Sequence, residues 1–199
     1  MDRAIADFIA TELSATQSAV SALCADAAYR GKLAAVAELY VQRLRSGNTL
    51  MFAGNGGSAA DAQHIAGELV SRFHFDRPGL RAIALSTDTS IMTAIGNDYG
   101  YDYVFARQVE ALGREGDVLT VLSTSGNSAN VLRAISAATE RGMTVVGMTG
   151  SGGGKMAALC DHVLNAPSDK TPRIQECHLI SYHLICALVE ARLFGELAG

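Results

Sequence analysis

The residue types that can do chemistry gather first in two short turns, Gly54-Asn55-Gly56-Gly57-Ser58-Ala59-Ala60 and Ser123-Thr124-Ser125-Gly126-Asn127-Ser128. Each follows a short apolar run (49–53 and 118–122) and precedes a helical pattern. Glycines at 54, 56 and 57 remove side chains where backbone must approach a ligand, and Ser58 stands near the expected helix N-cap. The second turn offers four hydroxyls, on Ser123, Thr124, Ser125 and Ser128, where capping needs one. Hydroxyls and helix N–H groups together bind a phosphate monoester without any lysine or arginine. Neither turn is a GxxxxGK[ST] loop or a GxGxxG fingerprint, so a nucleoside triphosphate or nicotinamide ligand is disfavoured. The pair points to a phosphorylated small molecule.

The helix after the first turn carries His64 and Glu68 at i, i+4, with Asp61 one turn back and Arg72 continuing the face. An imidazole and a carboxylate so spaced can ligate one divalent metal or act as an acid–base pair. The same stripe also reads as a solvated face with charge pairing. Near the C-terminus Gln175, Glu176, His178 and His183 lie on one long apolar helical pattern. Gln175 and His183 are ~12 Å apart along such an axis, while Glu176 and His183 lie nearer one face. Spacing leaves both pairings open, and a histidine in so apolar a helix also reads as a core residue. Asn97 and Asp98, in the polar stretch 93–102, are candidates for sugar hydroxyls or plain helix caps.

The elements that must position these groups follow from periodicity. Residues 3–24 and 30–46 carry apolar positions at helical spacing and form an N-terminal hairpin, closed by Ser46-Gly47-Asn48. Strands are expected at 49–53, 82–86, 118–122, 144–148 and 162–166. Helices are expected at 58–71, within 88–112, and at 127–141, 153–160 and 172–195. Alternation of this kind implies an α/β, three-layer, doubly wound sandwich with a five-stranded parallel sheet of flavodoxin-like type. Both small-residue turns then fall at carboxyl ends of strands, where such sheets bind ligands. Residues 1–199 read as one domain, without linker, repeat or low-complexity tract.

Composition narrows the class. The chain is 49% hydrophobic and only 18% charged, and such surplus apolar surface usually ends in an oligomer interface. A net charge of −4 without any basic run argues against nucleic acid. Cys24, Cys160, Cys177 and Cys186 have no metal or disulfide spacing and read as buried thiols. The N-terminus reads as an amphipathic helix and not a signal peptide, and no apolar run approaches a membrane span. A cytoplasmic protein is expected.

Four segments, AGNGGSAADAQHIAGELVSRF, ALSTDTSIMTAIGNDYGY, STSGNSANVL and TPRIQECHLISYH, resemble the phosphoheptose isomerase (sedoheptulose 7-phosphate isomerase) family of the sugar-isomerase-domain (SIS) superfamily. The likeness covers essentially the whole chain. It implies conversion of sedoheptulose 7-phosphate to D-glycero-D-manno-heptose 7-phosphate through an enediol(ate), the first step of heptose biosynthesis. It also implies a homotetramer with active sites at subunit interfaces, the 1–46 hairpin serving assembly. In zinc-containing members the metal is held at positions matching His64, Glu68, Gln175 and His183, which implies one Zn²⁺ per subunit. Glu68 and His183 would be the acid–base pair. Phosphate would sit on Ser123, Thr124, Ser125 and Ser128, with Asn55, Gly56, Gly57 and Ser58 lining the sugar side. Gln175, Asn97, Asp98, Asp169 and a neighbouring subunit's Arg72 would be further substrate contacts.

Three other functions are weighed against this one. A non-catalytic tetrameric relative that binds the replication initiator would lack the His64, Glu68, Gln175 and His183 set. A sugar-phosphate-sensing regulator would bring a DNA-binding segment. An isomerase of another sugar phosphate would share every feature above.

Overall fold

The computed structural model describes residues 2–197. Two antiparallel-patterned helices come first, α1 (Arg3–Ala25) and α2 (Ala27–Arg45). Asp26 ends one and starts the other: its N–H donates to the Ala22 carbonyl at 3.2 Å while its carboxylate accepts the Tyr29 N–H at 3.0 Å. That double duty lets α2 begin at residue 27 and not at 30. Gly47, at φ +81°, turns the chain out of α2.

The remainder alternates strand and helix: β1 (Leu50–Gly54), α3 (Gly57–Val70), β2 (Ala82–Ala84), α4 (Thr89–Asp98), α5 (Ala106–Leu112), β3 (Val118–Leu122), α6 (Ala129–Glu140), β4 (Thr144–Thr149), β5 (His162–Asn165) and α7 (Thr171–Phe194). All five strands are parallel in the order β2-β1-β3-β4-β5, in register Leu50 with Ala82 and Val118, and Val118 with Thr144. Strand order reverses between β1 and β3, so the crevice of a doubly wound sheet opens where the two small-residue turns stand.

Side-chain alternation divides the core into two layers. Leu50, Phe52, Val118, Leu122, Val146 and Met148 face one cluster with α2, α3 and α7. Met51, Ala53, Leu119, Val121 and Val145 face the other with α5 and α6. The α/β three-layer expectation holds.

The stretch 88–112 holds two helices, as expected. Gly100, at φ +92°, separates them, and a single 3-10 turn (Tyr101–Tyr103) joins α4 to α5. Several local expectations are corrected. Strand 82–86 shrinks to three residues at the sheet edge. The expected helix at 153–160 is only a 3-10 turn over Lys155–Ala158, because Gly153 and Gly154 adopt positive φ before it. Their role is close approach: a Cβ on Gly126 would collide with the Gly153 carbonyl. The glycine run thus packs beneath the 123–128 turn, and the Met156 N–H donates to the Gly126 carbonyl at 3.0 Å. Cys24 is exposed and Cys160 half-buried, while Cys177 and Cys186 are buried. α7 is long and apolar enough to cross a bilayer, yet Ile174, Cys177, Tyr182, Ile185, Cys186 and Val189 fill the core.

Candidate active site

The sheet order places β1 and β3 side by side, so their following turns face each other. A hollow of about 280 Å³ is lined there by Asn55, Gly57, Ser58, Leu122, Ser123, Thr124, Ser128, Thr171 and Gln175. Ser58 is not the cap of α3. That position belongs to Gly56 at φ +56°, and Ser58 is buried inside the first turn. Nor does α6 use a side-chain cap, so no hydroxyl of the second turn is spent on it. Ser123 Oγ accepts the Gly126 N–H at 3.2 Å and lies 3.2 Å from Ser128 Oγ. Among the described residues, the N–H groups of Gly56, Gly57, Thr124, Ser125 and Ser128 have no acceptor within the chain. The hydroxyls and free N–H groups of the second turn suit that wall of the hollow to an anion, with the Gly56 and Gly57 N–H groups on the opposite wall.

Beside it, on the same pair of helices, stands a second constellation. The ligand atoms of His64, Glu68 and His183 all lie within 4.8 Å of one another. His64 Nε2 is 2.9 Å from Glu68 Oε1, and the His64 and His183 ring centroids are 5.1 Å apart. Burial, and then the neighbouring His64, lower the His183 pKa from 6.5 against the opposing pull of Glu68. A neutral imidazole with a free lone pair follows, suited to taking a proton or binding a cation.

The other face of His64 is also engaged. Its Nδ1 is 2.9 Å from the buried Tyr182 hydroxyl, which faces Asp61 as well. Burial raises the Asp61 pKa, and Asp61 Oδ2 is buried without a hydrogen-bond partner. This arrangement fits a divalent metal. With Nδ1 engaged by Tyr182, Nε2, which faces Glu68, is the ring nitrogen a metal would take. Two imidazoles and a carboxylate are a usual donor set for zinc.

A buried ion pair holds the back of this constellation. Arg77 Nε donates to Glu190 at 3.1 Å, with both side chains almost fully enclosed. Glu190 also accepts the N–H groups of Phe73 at 2.9 Å and His74 at 2.6 Å. Arg77 in turn donates to the carbonyls of Glu68, Leu69 and Ser71, the open end of α3. Phe73 is thereby held against His183, ring centroids 5.7 Å apart.

The remaining candidates separate. Glu176 is tied to Arg173 at 2.8 Å, whereas Gln175 sits with its carboxamide against Gly57 and lines the hollow. Gln175 is thus level with the phosphate turn, two turns of α7 before His183. His178 is a core residue, its Nε2–H donating to the Thr149 carbonyl at 3.2 Å, and burial lowers its pKa to about 4. Asn97 and Asp98 are exposed at the end of α4, bonded to each other at 2.8 Å. Asp169 pairs with Lys170 at 3.7 Å outside the hollow. Arg72 is exposed, and makes no ion pair among the described residues. Within one chain, these four do not line the hollow.

Sequence reasoning missed Tyr182, Asn130, Tyr101 and the Arg77–Glu190 pair. Tyr182 is adjacent to His183, the one available hint. The others pair across 46 to 113 residues and leave no local pattern.

Residues 15–150 match the SIS domain model. The chain is 54% identical over 189 residues to the phosphoheptose isomerase of Burkholderia pseudomallei, covering 95% of this chain and 96% of the relative. It is 52% identical over 188 residues to that of Aneurinibacillus thermoaerophilus, covering 94% and 95%. The solved structure of phosphoheptose isomerase from Neisseria gonorrhoeae superposes with a TM-score of 0.81 at 46% identity, covering 94% of this chain and 97% of that one.

Proposed function

This chain belongs to the phosphoheptose isomerase family of SIS-domain proteins, and from that premise we infer that it converts sedoheptulose 7-phosphate to D-glycero-D-manno-heptose 7-phosphate in heptose biosynthesis. The observation that carries this reading inside the chain is the convergence of His64, Glu68 and His183 on α3 and α7, the two helices whose first turns line the hydroxyl-rich hollow. No observation favours a non-catalytic binding role.

Residues 1–199 form a single SIS domain in this reading. Phosphate sits on Ser123, Thr124, Ser125 and Ser128 and on the free N–H groups there. The sugar runs along Asn55, Gly56, Gly57 and Ser58 toward Gln175. Asn97, Asp98 and Asp169 are further substrate contacts, and Arg72 reaches substrate from a neighbouring subunit of a homotetramer with active sites at subunit interfaces. An apolar stripe on the 1–46 hairpin supports that assembly: Ile5, Phe8, Ile9 and Leu13 are 53%, 67%, 44% and 65% exposed. The enzyme works in the cytoplasm.

Isomerisation moves a proton between C1 and C2 and a second between their oxygens, through a cis-enediol(ate). Glu68 and His183 carry these protons: their ligand atoms lie within 4.8 Å of one another, and among the described residues neither side chain is hydrogen-bonded to the backbone. His64 and Gln175 complete the set that would hold Zn²⁺ with them. When bound, the metal supplies Lewis-acid polarisation of the carbonyl. Phe73, packed on the His183 ring, keeps bulk water from that side.

Incubation with sedoheptulose 7-phosphate, with and without chelator, followed by NMR of the product, tests the proposal. An aldose 7-phosphate is expected. Its absence from a folded protein in both conditions overturns the function, and chelator-insensitive turnover removes the metal alone.

A further inference from the structure

Asn130, in the first turn of α6, is 3% exposed and forms a reciprocal pair with Asn55. Asn55 Nδ2 donates to Asn130 Oδ1 at 2.9 Å, and Asn130 Nδ2 donates back to Asn55 Oδ1 at 2.9 Å. The Asn55 oxygen also accepts the Tyr101 hydroxyl at 3.3 Å. One carboxamide therefore ties together three segments: the turn after β1, the start of α6, and the 3-10 turn between α4 and α5.

We propose that Asn130 is a positioning residue for substrate, a clamp that sets the spacing between the two walls of the hollow. Resting on the isomerase reading above, it concerns what holds the known pocket and not what reacts there. The Asn55 oxygen is spent on Asn130 and Tyr101, so the sugar meets this wall through the second Nδ2–H of Asn55 and the N–H groups of Gly56 and Gly57. Those donors and the hydroxyl turn at 123–128 belong to different loops, joined at this level by the carboxamide pair. A substrate that touches both walls binds well only if their separation is fixed beforehand. A ligand that touches one wall does not depend on it.

Tyr101 is the replaceable member. It is 58% exposed and follows Gly100, whose positive φ aims the 3-10 turn at Asn55. Its hydroxyl reaches Asn55, a lining residue of the hollow, from just past the end of α4.

The test compares sedoheptulose 7-phosphate, which spans both walls, with inorganic phosphate, which needs only one. Asn130→Ala is expected to raise KM at least tenfold, change kcat less than threefold, and leave the competitive inhibition constant of phosphate within twofold. Tyr101→Phe should raise KM two- to fivefold at unchanged melting temperature, and it reads the clamp even if Asn130→Ala does not fold. KM within twofold in Tyr101→Phe and in any folded Asn130→Ala overturns the proposal. So does a phosphate constant that weakens in parallel with KM, because Asn130 would then support the phosphate turn itself. Parent enzyme that makes no aldose instead defeats the isomerase reading.

Discussion

The Tyr182 hydroxyl lies 2.9 Å from His64 Nδ1, on the side of the ring opposite Glu68. Tyr182 is 1% exposed, and burial pushes its pKa upward, so it stays protonated and can pass a hydrogen bond on toward Asp61. The consequence is a fixed ring orientation for a residue at the centre of the proposed metal set.

Tyr182→Phe is accordingly expected to keep the fold and weaken zinc binding by about 10–100-fold, the usual loss when a metal-ligating histidine loses its outer hydrogen bond. Competition with a chromogenic chelator measures this without any turnover. Zinc affinity equal to that of the parent would separate Tyr182 from the metal site.

Glu190→Gln tests the brace behind the site. Breaking a buried pair leaves Arg77 uncompensated, at a cost of about 3 kcal/mol, or roughly 6–12 °C of melting temperature in a chain of this size. The sign of the pH effect follows from its cause. Burial alone would raise the Glu190 pKa, but the N–H groups of His74 and Phe73 and the Arg77 guanidinium outweigh it and lower it from 4.5. Its contribution is therefore complete above pH 4.5 and is lost as pH falls through the lower folded value. Denaturant melts from pH 6 downward should show this acid-side loss in the parent and a flatter profile in the variant.

Much of this architecture is legible in the sequence, for identifiable reasons. The strand at 118–122 matches residue for residue because four apolar residues and the β-branched Thr120 are bounded by Asp117 and Ser123. The strand at 82 is overread because Leu85 is buried like a strand residue while the chain has already left the sheet edge. His64 and Glu68 are visible as a pair because helical geometry alone brings i and i+4 together. The choice of Gln175 over Glu176 is not, since it depends on Arg173 taking Glu176 away. Asn130 and Tyr182 are invisible because their partners are 75 and 118 residues distant.

Gly57→Ala probes the approach of Gln175 to α3. Gly57 has no positive φ, so alanine fits the backbone and favours the helix by up to about 1 kcal/mol. Its Cβ would lie 2.5 Å from Gln175 Nε2, and the flexible carboxamide must move. Melting temperature should change by only a few degrees, whereas displacing one polar contact of about 1–2 kcal/mol raises KM roughly five- to thirtyfold. Steady-state kinetics decide it, and an unchanged KM would leave Gln175 without a role in substrate binding.

The apolar stripe on α1 bears on assembly. Of that helix only Ala19 and Leu23 are buried in the single chain, so its first turns contribute almost nothing to the protomer core. Phe8 and Leu13 are 67% and 65% exposed, and placing aspartate at both should leave the circular dichroism of the protomer unchanged. In a tetramer that covers them, the same change removes about 1.5–3 kcal/mol per side chain and inserts an unpaired charge into the contact. Light scattering should then report a smaller particle for Phe8→Asp with Leu13→Asp than for the parent. Turnover should fall with it, because Arg72 reaches substrate only across an interface in the proposed assembly. A double variant that keeps the parent's mass would place the subunit contacts elsewhere. One that loses mass but keeps full activity would confine the site to a single chain.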